Sequence, residues 1–240
     1  MDSMNERQKA ILRMLIGDFI KTARPVGSAW LVKRHKMSCC SATVRNDMSL
    51  LEELGLVDQA HFSSGRVPTM AGYRYYIDNL MVNRDLPPRF RRRVVMMIKS
   101  FDANKYSRVA KALAGEIASV TGNLAVISMP PDRVEMSGMQ YFFNRPEFRD
   151  EIMIKRSGLL LDKIADLVFE LREKMPEDSF RVYIDQELDY DFMREMAVVL
   201  RKFRDPFGES HVFGVVGPVR MDYSIMPDLM DFAATTLGEF

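Results

Sequence analysis

Side chains suited to contacts with nucleic acid lie together on one predicted helix, from Ser41 to about Leu54. Apolar residues recur there at three- and four-residue spacing and predict one buried stripe, formed by Val44, Met48, Leu51 and Leu54. The opposite face then presents Ser41, Thr43, Arg45, Asn46 and Ser49. Arginine matches the paired acceptors of guanine and asparagine the edge of adenine, whereas serine and threonine suit phosphates. The same residue types are common on any solvated helix face, so this face alone leaves both interpretations open.

A second set of polar residues follows at a predicted β-hairpin. The sequence predicts a strand over 56–62, a turn over 63–65, and a return strand at 66–67 that ends at Pro68. The candidate DNA contacts on this hairpin are His61, Ser63, Ser64 and Arg66. Of these, Arg66 is expected to extend toward a phosphate or a minor groove. Two further candidates lie upstream, Ser28 at the start and Lys33 near the end of a short second helix.

The elements that position these residues form one small domain. A first helix is predicted from Glu6 to Thr22, and a second from Ala29 to His35 with Ser28 as its N-cap. Ser41 is the predicted N-cap of the third helix. Three helices followed by a β-ribbon predict a winged helix-turn-helix domain over residues 1–82.

Residues 83–240 alternate less regularly between helical and extended patterns. After a polar break at 83–88, the patterns predict helices over 89–101, 105–121, 148–174 and 224–237. Strands are predicted over 123–129, 134–141, 180–184, 197–201 and 211–216. This uneven interleaving predicts an α+β domain built around an antiparallel sheet.

Charge is divided unevenly along the chain. Residues 1–100 contain 17 Lys or Arg and 9 Asp or Glu, whereas residues 101–240 contain 17 and 24. The net charge of +1 therefore conceals +8 in the first part and −7 in the second. Such asymmetry predicts that the basic part contacts a polyanion, with chance clustering of surface charge as the alternative.

Composition and motifs exclude several other classes. The apolar runs fall far short of the roughly 18 residues that a membrane span requires. Adjacent Cys39 and Cys40 exclude a long-range disulfide framework, so we expect a soluble protein of the reducing cytoplasm without membrane contact. The three histidines have no paired spacing, and no nucleotide-binding or hydrolase motif occurs. The sequence therefore predicts no metal, no cofactor, no catalytic residues and no enzymatic activity.

Several segments, taken in chain order, resemble one known family. They are NERQKAIL at 5–12, RPVGS at 24–28, SATVRNDM at 41–48, LEELG at 51–55, SGRVPT at 64–69 and GYRYY at 72–76. These segments resemble the N-terminal domain of the HrcA heat-inducible transcription repressors, and the resemblance extends in order, without large gaps, across nearly all of residues 4–80. Further along the chain, GMQYFFNRPEF at 138–148 and VVGPVRMDY at 215–223 are similar to two later segments of the same family.

The resemblance implies a function and a set of partners. It implies a homodimer that represses chaperone genes by binding an inverted-repeat operator in double-stranded DNA, with chaperonin as co-regulator. It also implies a GAF-like second domain that carries an inserted dimerisation domain. Only residues 130–133 stand where the family has a long stretch, so we interpret the chain as a shortened relative with a reduced GAF-like domain.

Two other functions stay open on the sequence alone. A GAF-like domain fused to a DNA reader would be able to sense a small molecule through a population shift. The 19 methionines would instead suit an interaction module, because methionine supplies adaptable apolar surface for a chaperone or another partner. Core filling is the simpler explanation of the methionines. Binding to a palindromic duplex, to a metabolite or only to a protein separates these functions.

Overall fold

The computed structural model describes residues 4–59, 65–101, 106–129, 133–205 and 207–238. The chain divides into two compact units, Met1–Val82 and Asn83–Phe240, which are called unit 1 and unit 2 below. Both units combine helices with antiparallel strands, which confirms the predicted α+β class. Within the described ranges, no helix is long and apolar enough to cross a membrane.

Unit 1 consists of short helices and a hairpin around a small apolar core. Its elements are α1 (Glu6–Thr22), α2 (Ser28–His35), α3 (Ser41–Glu53), β1 (Val57–Gln59), β2 (Arg66–Pro68) and α4 (Met70–Tyr75), which continues into a π-helical turn (Tyr76–Leu80). Reciprocal hydrogen bonds begin α1, because the backbone N–H of Gln8 donates to the Asn5 side chain and that of Asn5 to the Gln8 side chain, each at 3.0 Å. The apolar stripes of α1 and α3 supply fully buried core residues, including Ile11, Leu15, Val44 and Leu51.

Two buried carboxylates connect α1 to the next two helices. Asp47 of α3 accepts two hydrogen bonds from Arg7 of α1, from Nε at 2.7 Å and from Nη2 at 3.2 Å. Asp18 of α1 accepts from Trp30 Nε1 at 3.0 Å and lies 3.0 Å from His35 Nε2, both on α2. Because a buried carboxylate is costly unless it keeps its donors, each aspartate favours one orientation of the helix that it joins.

Two helix starts in unit 1 differ from the prediction by one residue. Ser28 and Ser41 are the first residues of α2 and α3, not their N-caps. Gly27 and Cys40 take the extended N-cap conformation, and neither makes a side-chain capping hydrogen bond. The serine pattern therefore located both helix starts but assigned the wrong residue as the cap.

Leu54 was predicted to be buried, but it is 42% exposed. The helix ends at Glu53, and Gly55 then adopts a φ of +71°. This left-handed turn brings Leu56, which is 2% exposed, into the core in place of Leu54.

Unit 2 contains a five-stranded antiparallel sheet with the order β4-β3-β7-β6-β5. Its strands are β3 (Leu124–Met129), β4 (Arg133–Ser137), β5 (Phe180–Ile184), β6 (Met196–Arg204) and β7 (Ser210–Pro218). Its helices are α5 (Pro88–Ile98), α6 (Tyr106–Thr121), α7 (Met139–Phe143), α8 (Glu151–Lys174) and α9 (Met226–Gly238). Alternate strand residues such as Val126 and Val198 share one core cluster with α8. The intervening residues are also buried, and α6 contacts β3 while α9 contacts β6. Helices therefore cover both faces of the sheet.

The second strand of unit 2 is shorter than predicted. It ends at Ser137, and Tyr141 lies in the short helix α7 instead. Gly138 causes this break, because its φ of +98° is incompatible with a continuing strand. A Cβ atom at Gly138 would also lie only 2.3 Å from the Cβ of Ala118. The long helix predicted from Phe148 begins at Glu151, where the Asp150 side chain accepts hydrogen bonds from two backbone N–H groups.

We expect a glycine-to-alanine substitution to have opposite effects on stability at two positions of unit 2. Gly138→Ala should destabilise unit 2 by about 3 kcal/mol, because it combines a left-handed backbone with a steric clash. Gly158→Ala should stabilise it by about 0.5–1 kcal/mol, because Gly158 lies within α8 and a Cβ there would meet open space. Urea unfolding followed by circular dichroism measures both changes. A destabilising Gly158→Ala, or a neutral Gly138→Ala, would contradict this account of the two backbones.

Candidate nucleic-acid interface

The polar face of α3 is accessible where the sequence predicts it. Arg45 and Asn46 are exposed, and neither side chain has a hydrogen-bond or ion-pair partner among the described residues. Ser41, Thr43 and Ser49 are half-buried, and the Ser49 hydroxyl donates to the backbone carbonyl of Arg45 at 3.2 Å. Val44 and Met48 occupy the opposite, buried side of the helix. This arrangement leaves one guanidinium and one carboxamide free for an external ligand.

The first turn of α3 stabilises negative charge. Cys40, at the N-cap position, is exposed, and its Sγ lies 3.3 Å from the Thr43 hydroxyl. That hydroxyl, followed by the backbone N–H groups of Thr43 and Ala42, lowers the pKa of the Cys40 thiol below its ordinary value. The groups that favour a thiolate would also favour a phosphate oxygen at this helix end. The sequence did not predict this role for Cys40.

Backbone pairing fixes the hairpin against the loop between α1 and α2. Val26 and Arg66 exchange two hydrogen bonds, N–H to carbonyl in each direction, both at 2.9 Å. The approach requires glycine at the neighbouring position, because a Cβ on Gly65 would lie 2.4 Å from the carbonyl carbon of Val26. The start of β2 is therefore held beside the residues that begin α2.

The sequence predicted that Arg66 extends away from the hairpin, and this prediction is wrong. Its guanidinium pairs with Glu52 of α3, with Nη2 at 2.7 Å and Nε at 3.0 Å from the same carboxylate oxygen. Only 15% of the Arg66 side chain is exposed. The carboxylate holds the arginine against α3, because a close and partly buried ion pair satisfies both charges.

A cleft of about 440 Å³ lies where α2, α3 and the hairpin meet. The described residues that line it are Gly27, Ser28, Ala29, Arg45, Met48, Ser49, Gln59, Gly65 and Arg66. Four of the predicted site residues thus share one cleft, namely Ser28, Arg45, Ser49 and Arg66. The first residues of α2 also contribute, and N–H groups in the first turn of a helix have no acceptor within it. The cleft therefore combines cationic side chains with backbone donors.

The other predicted site residues fall outside the cleft. Lys33 is exposed near the end of α2, and Ser41, Thr43 and Asn46 lie elsewhere on α3. His61, Ser63 and Ser64 lie outside the described residues. Gln59 was not predicted, because only the pairing of β1 with β2 brings this residue to the cleft. No group of His, Cys, Asp and Glu side chains in the described part of the chain is arranged to hold a metal ion.

Comparison with known proteins gives both a family and a fold. Residues 76–226 match the family model described as the HrcA protein C terminal domain. A relative from Lactobacillus delbrueckii subsp. bulgaricus, named heat-inducible transcription repressor HrcA, is 32% identical over 186 residues. That alignment covers 76% of this chain and 53% of the relative. A relative of the same name from Caldanaerobacter subterraneus subsp. tengcongensis is 36% identical over 140 residues, which are 55% of this chain and 38% of the relative.

One solved structure shares the fold over nearly the whole chain. It is a crystal structure of a hypothetical protein at 2.2 Å resolution, with a TM-score of 0.76 and 16% identity, and the match covers 99% of this chain and 98% of that one. The curated relatives are longer, and the alignments with the two named above span 38% and 53% of their length. The family model nevertheless covers more than half of this chain, and the chain belongs to the HrcA family.

Proposed function

We propose that the protein is a sequence-specific DNA-binding transcription repressor of heat-shock genes, acting at an inverted-repeat operator. The observation that carries the proposal is that Arg45 and Asn46 of α3 are exposed and have no side-chain partner among the described residues, and that Arg45 lines a cleft of cationic and backbone donors. Both side chains are types that read base edges. The names of the family relatives, heat-inducible transcription repressors, support the same function.

In this proposal unit 1 acts as a winged helix-turn-helix. The N-terminal part of α3 enters the major groove, with Arg45 and Asn46 on base edges. Ser41, Thr43 and Ser49 would contact phosphates or bases from the same helix, and Ser28 and Lys33 would contact phosphates from α2. The hairpin forms the wing, which includes His61, Ser63, Ser64 and Arg66. Because Glu52 holds Arg66, this arginine would meet DNA beside α3 and not from an extended wing tip.

Unit 2 would serve as a regulatory domain of the GAF-like type. Its support is the antiparallel sheet with helices on both faces. Heat induction requires that the protein lose operator binding when it unfolds, so a unit of modest stability suits this role. The core of unit 2 includes the buried methionines Met153, Met175, Met193 and Met196. Methionine side chains fill space adaptably and specify packing loosely, which suits a core of modest stability. We include chaperonin as the co-regulator and the cytoplasm as the location in this proposal.

Replacing Arg45 or Asn46 by Ala should remove sequence discrimination. We expect affinity for a palindromic operator, selected from a random duplex pool, to fall by about 1–3 kcal/mol, with little change on random duplex. Fluorescence anisotropy at fixed salt measures both affinities. Lys33→Ala is the matched control, because loss of a phosphate contact weakens all duplexes alike. Equal losses on operator and random duplex for Arg45→Ala and Asn46→Ala would contradict base reading.

The reactivity of Cys40 reports directly on the position of the DNA. In a Cys39→Ser background, iodoacetamide should alkylate Cys40 readily at neutral pH, because the lowered pKa increases its thiolate fraction. Saturating operator duplex should reduce this rate several-fold, because DNA covers the start of α3 and its phosphates disfavour the thiolate. Mass spectrometry of quenched samples gives the rates. A rate unchanged by DNA would place the duplex away from this end of α3.

The operator complex should contain two protein chains on one duplex. A single reading helix contacts only a few base pairs, and a two-fold homodimer matches the symmetry of an inverted repeat. Multi-angle light scattering of the complex measures its mass, and a duplex carrying one half-site serves as the control. A single chain bound to a full inverted repeat would contradict the dimer.

A further inference from the structure

Most of the net positive charge of residues 1–100 lies outside unit 1. Residues 1–82 contain 11 Lys or Arg and 8 Asp or Glu, a net charge of +3. Residues 83–100 contain six Lys or Arg and one Asp, a net charge of +5 in 18 residues. More than half of the +8 found in the first hundred residues therefore lies on α5 and its flanks, whereas the rest of unit 2 carries −7.

The side chains of α5 separate into two faces. Phe90 and Val94 are buried, and the Phe90 ring packs edge-on against Phe232 of α9 at a centroid distance of 6.1 Å. The opposite face has residues at three- and four-residue spacing, namely Arg89, Arg92, Arg93, Met96 and Lys99. All five of these residues are exposed. The apolar side of the helix is thus already covered within unit 2, and the basic side faces solvent.

Part of this basic face has no ion-pair partner in the part of the chain that the structure describes. Arg93 pairs with Glu116, and Arg91, beside this face, pairs with Asp228. Arg89, Arg92 and Lys99 have no ion pair among the described residues. The first turn of α5 also contains no acidic residue, so Arg89 lies at the helix end where the helix dipole disfavours a cation. A bound anion would supply the missing counter-charge and would also offset the unfavourable position of Arg89 in the helix dipole.

We propose that the exposed basic face of α5 is a second DNA-binding surface, which contacts the phosphate backbone without reading sequence. This inference rests on the proposed function and adds unit 2 to the DNA contact. The face spans about 15 Å from Arg89 to Lys99 at 1.5 Å per residue. Duplex DNA offers one phosphate charge per about 1.7 Å of axis, so several phosphates lie within that length. An anionic membrane fits less well, because amphipathic helices bind membranes through a free apolar face.

The salt dependence of DNA binding by the full chain tests this surface. The variant Arg89→Gln/Arg92→Gln removes two positive charges and keeps polar side chains of similar helix propensity. Its plot of log affinity against log salt concentration should be shallower than that of the wild type by about 2, since each phosphate contact contributes about 0.9. The loss should be the same on operator and random duplex. The matched control is Arg133→Gln/Arg181→Gln, which removes two exposed charges from β4 and β5 of the same unit.

The outcomes separate this inference from the proposed function. An unchanged slope, or an equal change in the control variant, overturns the α5 surface even when the wild type discriminates operator from random duplex. Equal binding of operator and random duplex by the wild type refutes the repressor function. Even then, a salt-dependence slope that is reduced only in the α5 variant supports the phosphate contact. Binding to phosphatidylserine vesicles that depends on Arg89 and Arg92, with an unchanged DNA slope, assigns the surface to membranes and overturns the proposal. Circular dichroism melts of both variants should match the wild type, and these melts exclude loss of folding as the cause.

Discussion

The two backbone hydrogen bonds between Val26 and Arg66 are the constraint on which the candidate interface depends. They hold β2 against the loop that precedes α2, so that the hairpin, the first turn of α2 and the middle of α3 surround one cleft. The contact is possible only because Gly65 has no side chain. The buried carboxylates Asp18 and Asp47 then connect α1 to the two helices that border the cleft. Polar contacts thus position the surface, while the apolar core supplies most of the stability.

Sequence periodicity was sufficient for the elements with strong patterns. The bounds of α1 agree with the prediction at both ends, because its apolar stripe is long and its capping box is complete. Short elements were less well defined. Leu54 fits the stripe of α3 by spacing alone, and only the turn at Gly55 decides that Leu56 enters the core instead. Similarly, spacing alone does not show that β4 ends before Gly138, because the close contact of Gly138 with Ala118 arises from the tertiary fold.

The candidate site shows what a linear pattern leaves out. Residue type identified Arg45 and Asn46 correctly as exposed polar side chains, because helical spacing fixes which face is buried. The same reasoning failed for Arg66, whose direction depends on Glu52 in another element. The charge count treated residues 1–100 as one basic part, although +5 of its +8 lies over residues 83–100, on α5 and its flanks. Net charge over a hundred residues does not specify which folded unit presents it.

The strand order of unit 2 has a consequence for biosynthesis. β3 is hydrogen-bonded on one side to β4, its neighbour along the chain, and on the other to β7, with Val126 opposite Gly214. During translation one edge of β3 stays unpaired until Ser210–Pro218 has left the ribosome. Unit 1 is complete much earlier, and domains generally fold as units from the N-terminus. Each new chain therefore passes through a stage in which a folded N-terminal unit is tethered to a sheet with an unpaired strand edge. Such species bind chaperones and are prone to aggregate.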